Sequence, residues 1–75
     1  MKLEEFVQKF AEQFDETPVE NFTATTEFKK LPEWSSLTSL SIIAMVDEEM
    51  EKRITGADIR SSITIEDLFN IAKGK

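Results

Sequence analysis

The chain contains no cysteine, no histidine and no tyrosine, and only two glycines and two prolines among 75 residues. Without cysteine there is no thiol nucleophile, redox pair, disulfide or thiolate-bound metal. Without histidine the commonest general base and the commonest neutral metal ligand are missing too, so most enzyme chemistry is excluded at the outset. Positive charge is also scarce: nine Lys and Arg face fifteen Asp and Glu, for a formal net charge of -6. That is the wrong sign for neutralising nucleic-acid phosphates or an anionic lipid surface. The longest strictly apolar run, Ile42 to Val46, is far shorter than a membrane span, and Met1 to Phe6 lacks the apolar stretch of a signal peptide. Gly56 and Gly74 are isolated, so no glycine-rich phosphate cradle exists. Asp15-Glu16 and Asp47 to Glu49 lack the spacing of a closed metal site. These absences lead us to expect a cytoplasmic, monomeric protein with no nucleic-acid or membrane partner, whose natural complement is a basic protein.

What remains is a composition that folds. Hydrophobic residues make up 40% and charged residues 32%, a balance suited to one small, mostly helical domain over 1–75. Leu3, Phe6, Val7, Phe10 and Phe14 recur at steps of three and four, which predicts an amphipathic helix that stops near Asp15, ahead of Thr17-Pro18. From Pro18 to Ser35 runs a long connection, rich in turn-forming Thr and Asn, with Phe22, Phe28, Leu31 and Trp34 as apolar pegs that pin it across the bundle. The central helix is expected from Ser35 or Ser36 to about Lys52, with Leu37, Leu40, Ile43, Val46 and Met50 as its stripe and Ile42, Ala44 and Met45 widening it. A short helix over Ala57 to about Ser61 precedes a last one capped by Thr64, or by Ser62 in a different register, in which Thr64-Ile65-Glu66-Asp67 resembles a capping box. The predicted fold is all-α: an irregular four-helix bundle of three main helices and one short one, with a long first loop.

The informative hydroxyls are in Trp34-Ser35-Ser36-Leu37-Thr38-Ser39-Leu40, where the loop turns into the central helix. Serines at a helix start are ordinary caps. The same position also favours a phosphate esterified to a serine, because the first-turn amides are unpaired and the macrodipole is positive there.

Ser35-Ser36-Leu37 at this helix start resembles the Asp-Ser-Leu motif of the acyl carrier proteins. The resemblance extends along the chain, through Phe28 and Leu31 in the loop, Leu40, Ile42, Ile43 and Val46 in the helix, Asp47-Glu48-Glu49 before Met50, and Ile63-Thr64-Ile65-Glu66-Asp67-Leu68 ahead of the last helix. It implies that Ser36 receives a covalent 4'-phosphopantetheine arm from coenzyme A through a phosphopantetheinyl transferase. The protein would then be a carrier and not an enzyme. It would hold acyl groups as thioesters and present them to synthases, ligases or transferases with basic docking patches, through Ser35, Leu37, Asp47, Glu48 and Glu51. Ser35 departs from the family's usual Asp, which bears on the transferase. Together with the uncharged Thr38, Ser39 and Ser41, which make the first turns of this helix less acidic than in many members of that family, it makes a carrier serving one dedicated synthase or ligase a serious option.

A solvated helix face is the simpler account of the acids, with Glu48-Lys52 and Glu49-Arg53 as i,i+4 pairs. Leu40, Ile43, Met45, Val46, Ile54, Ile59 and Ile63 would fill the core, and could also accept part of an acyl chain. Trp34 and the phenylalanines are read as structural. The alternative to the carrier is an unmodified acidic helical adaptor of the same fold, binding a basic partner.

Overall fold

The computed structural model describes residues 1–75 and is entirely helical, with no strands. Its helices are α1 (Leu3–Ala11), α2 (Ser36–Met50), α3 (Gly56–Ser61) and α4 (Ile65–Lys73). Between α1 and α2 runs a strap with two single 3-10 turns, Val19–Asn21 and Phe28–Lys30. α1 packs on α2 and α4, α2 also meets α4, and the short α3 leans on α4. No helix is long and apolar enough to cross a membrane.

The ends of the elements follow from local chemistry. α4 begins where the Thr64 hydroxyl accepts the N–H of Asp67 at 3.2 Å and the Asp67 carboxylate accepts the N–H of Thr64 at 3.0 Å, the reciprocal box read from the sequence. Ser62 is not the cap. It is fully buried, and its hydroxyl donates to the Asp58 carbonyl at 2.9 Å. α3 carries the same kind of box between Thr55 and Asp58.

The strap is pinned as the apolar pegs imply. Phe22 and Phe28 are buried, and Leu31 and Trp34 pack half-buried against the core. Its backbone also works: the Thr26 and Ala24 carbonyls accept the N–H groups of Ile65 and Glu66 at 3.2 and 3.0 Å. Two donors at the start of α4, which lack partners within the helix, are thereby satisfied.

α1 stops at Ala11, short of the expected Asp15. The chain tightens there, with the N–H of Gln13 bonded to Phe10 and that of Phe14 to Ala11, both at 3.1 Å. Phe14 stays buried from the turn, tilted against Phe22 and stacked toward Trp34.

The phase of α2 is the larger correction. Its buried residues are Ile42, Met45 and Val46, while Leu37 and Leu40 are 76% and 62% exposed. Ile43 and Met50 are half-buried at the edge of the core. α2 also ends at Met50, because Glu51 adopts the left-handed conformation with φ 55 and ψ 38. Lys52 and Arg53 therefore leave the helix, and the i,i+4 pairs with Glu48 and Glu49 do not form. Glu49 instead meets Lys9 of α1 at 4.0 Å, and Lys52 donates to the carbonyl of Lys75. Ile63, expected inside, is 61% exposed on the short link before α4.

Candidate functional site

The start of α2 is assembled by two hydroxyls and one backbone carbonyl. Ser35 is the N-cap, in extended conformation, and its Oγ accepts the N–H of Thr38 at 3.4 Å. The Thr38 hydroxyl donates to the Glu33 carbonyl at 3.0 Å and lies 3.2 Å from Ser35 Oγ. With the Thr38 proton directed at Glu33, Ser35 is the donor in that second contact. Ser36, the first helical residue, is left exposed, and its hydroxyl makes no hydrogen bond within the chain. One serine is thus consumed as a cap and the next is presented to solvent.

Ser36 opens on a cleft of about 650 Å³ between the end of the strap, α2 and α3. Trp34, Leu40, Ile43 and Ile59 supply its apolar surface, and Lys29 and Arg60 its basic one. The Lys29 ammonium donates to the Arg60 carbonyl at 2.8 Å, which holds strap and α3 together beside the serine. A second cleft of about 520 Å³ continues along α2, sharing Leu40 and Ile43 and adding Ile54, with Asp47 and Arg53 at its rim. Of the residues expected to border an acyl chain, Leu40, Ile43, Ile54 and Ile59 line these clefts. Met45 and Val46 are in the core, and Ile63 lines neither cleft.

The acids grouped in the sequence are divided in space. Asp47 borders the α3-side cleft, whereas Glu48 and Glu49 border a shallow depression beside Gln13. Glu51 lies beyond the helix end, and all of Asp47, Glu48 and Glu51 are exposed. Eleven residues of helix place Asp47 about 16 Å along α2 from Ser36. Ser36 and Leu37 therefore share one end of α2 and the acids the other. No group of three or more acids comes together that could hold a metal ion.

Glu33 is the residue that sequence reasoning missed. Its carboxylate accepts the N–H groups of Asp15, Glu16 and Thr17 at 2.9, 3.1 and 2.9 Å and the Thr17 hydroxyl at 2.7 Å. The Thr17 hydroxyl first, then the backbone N–H groups of Glu16, Asp15 and Thr17, hold its carboxyl below the usual carboxylate range. Its partners lie 16 to 18 residues away, so the one local signal was an acid isolated among apolar pegs.

No protein-family model matches the chain, and no curated protein or solved structure is significantly similar to it. What fold and site define is a small all-helical bundle presenting a free serine at the start of its central helix.

Proposed function

We propose that the protein is an acyl carrier, with Ser36 as the attachment point of a 4'-phosphopantetheine arm. The observation that carries this reading is the Ser36 hydroxyl, exposed, free of internal bonds and opening on a cleft with both apolar and basic lining. That setting fits a flexible chain joined through a phosphodiester. When bound, the arm supplies the thiol that holds an acyl group as a thioester, the sulfur chemistry a cysteine-free chain lacks.

The chain's own residues have simpler tasks. Ser35 fixes the first turn of α2, so that Ser36 points outward. Leu37 and Leu40, too exposed to serve the core, offer apolar contact to a partner beside the arm. Asp47, Glu48 and Glu51 steer basic docking patches of the transferase and of acyl synthases or ligases. Such charges raise encounter rate and selectivity more than affinity, which suits a shuttle. The division of the acids between two sides of α2 favours partners that approach from different directions, as a carrier in fatty-acid, polyketide-like or other specialised acyl synthesis requires.

The test is incubation of the purified protein with coenzyme A, magnesium and a broad-specificity phosphopantetheinyl transferase, read by intact mass and peptide mapping. The expected result is one phosphopantetheine on Ser36, absent from Ser36→Ala. No adduct with several transferases, the native host's own among them, would sink the carrier reading and leave the acidic adaptor to be tested by capture of a basic partner.

A further inference from the structure

Glu33 reaches in two directions. Its carboxylate grips the turn after α1 through three successive backbone N–H groups and one hydroxyl, and its carbonyl accepts the hydroxyl of Thr38 in the first turn of α2. Only Trp34 and Ser35 separate it from Ser36. Trp34 is itself held edge-on to Phe28 at 5.0 Å and stacked toward Phe14 at 6.4 Å, so the segment has little freedom of its own between these two grips.

We infer that Glu33 is a positioning residue for Ser36: its ionised carboxylate ties the turn after α1 to the strap, and the tie sets where the strap hands over to α2. This rests on the reading of Ser36 as an attachment point, because position there has functional meaning only if a partner must reach the hydroxyl.

Charge elsewhere does not do this work. The charged neighbours on the gripped turn are Asp15 and Glu16, both acids, and the depression beside Glu33 is lined by Glu16, Thr17, Pro18, Asn21 and Leu31 without a basic side chain. The first turn of α2 has no acid. On the strap, Lys30 pairs with Glu27 and Lys29 bonds to the Arg60 carbonyl. On α1, Lys9 is shared between Glu12 and Glu49. Donor groups alone hold the charge, and protonation would turn one acceptor oxygen into a donor facing other donors. Because the folded carboxyl titrates below the ordinary value, the tie is intact at neutral pH and is lost as pH falls through that lowered value.

The experiment is an amide NMR titration of the full chain from neutral pH downward, in wild type and Glu33→Gln, with amide hydrogen exchange at pH 7. The amides of Asp15, Glu16 and Thr17 and those of Ser36 and Thr38 should move with one common midpoint, and Glu33→Gln should abolish that step in both groups. At pH 7 the variant should exchange about tenfold faster at both, as loss of a charged acceptor implies. If Ser36 and Thr38 stay flat while Asp15 to Thr17 titrate, Glu33 merely staples a loop and the inference is overturned. Should the variant not fold, the wild-type titration decides alone. Should wild type accept no arm, the attachment reading fails by itself, and the titration still decides whether Glu33 governs the setting of Ser36.

Discussion

Phe10 has four aromatic neighbours, Phe6, Phe14, Phe22 and Phe28, at ring separations of 6.2, 5.7, 6.3 and 5.2 Å. It joins α1 to both halves of the strap, so its loss loosens the segment that leads to Ser36. Truncating a buried Phe to Ala costs about 3–5 kcal/mol, and a domain of this size has about 3–5 kcal/mol in total. Phe10→Ala should therefore lack a cooperative thermal transition by circular dichroism, while Phe10→Leu should keep one at a lower midpoint. A cooperative Phe10→Ala near the wild-type midpoint would remove the ring cluster from its central place. At this scale the sequence is legible where the physics is local. A serine cap at Ser35 or Ser36 was visible because helix starts favour hydroxyls, whereas Ser36 as candidate attachment came from the resemblance of Ser35-Ser36-Leu37 to the Asp-Ser-Leu motif. Glu33 was not, because nothing near it reports that backbone donors from residues 15–17 fold over it.

Among the elements, α4 was readable because a short, capped, amphipathic segment has one way to present its apolar face, while α3 was placed over Ala57 to Ser61 without its Thr55–Asp58 cap being read. α2 was not readable in phase. Leu37, Leu40, Ile42, Ile43, Ala44, Met45 and Val46 put apolar groups on nearly every side of the helix, so several stripes fit the spacing and only the neighbours choose Ile42, Met45 and Val46. The exposed Leu37 and Leu40 are what remains after that choice, and they remain beside Ser36. The end of α2 was hidden as well, since Glu51 has no residue-type signal for a left-handed cap. That conformation costs a side-chain-bearing residue roughly 1–2 kcal/mol, and glycine avoids it at an entropic cost of about 0.5–1 kcal/mol. Glu51→Gly should thus raise the melting midpoint by about 4 °C or somewhat less, while Glu51→Ala, which keeps the Cβ and removes the same charge, should not. Equal shifts in the two variants would mean that charge, and not backbone conformation, limits the helix end.

Over the whole molecule, acidity sets the conditions under which the bundle persists. The Lys30–Glu27 pair, at 3.1 Å, is largely exposed and contributes little. The acids that matter are hydrogen-bonded ones at three separate junctions. Glu33 ties the strap, Asp58 starts α3 and Asp67 starts α4. The Asp58 carboxyl is held below its usual range by the Lys75 ammonium first and the Thr55 N–H next, and that of Asp67 by the N–H groups of Thr64 and Ile63. A carboxyl whose folded value is depressed adds stability that is fully present above its unfolded value and disappears as pH falls through the folded one. Unfolded carboxyls titrate near pH 4, so melting midpoints should hold between about pH 7 and 5 and drop steeply below about 4. Asp67→Asn keeps one acceptor oxygen but cannot titrate, and it should start lower at pH 7 and lose less on acidification, so that the gap to wild type narrows below about pH 4. A gap that stays constant from neutral pH into the acid limb would show that Asp67 does not contribute to the acid sensitivity of the fold, and would leave Glu33, Asp58 and the self-repulsion of the basic groups once the acids are protonated as its source.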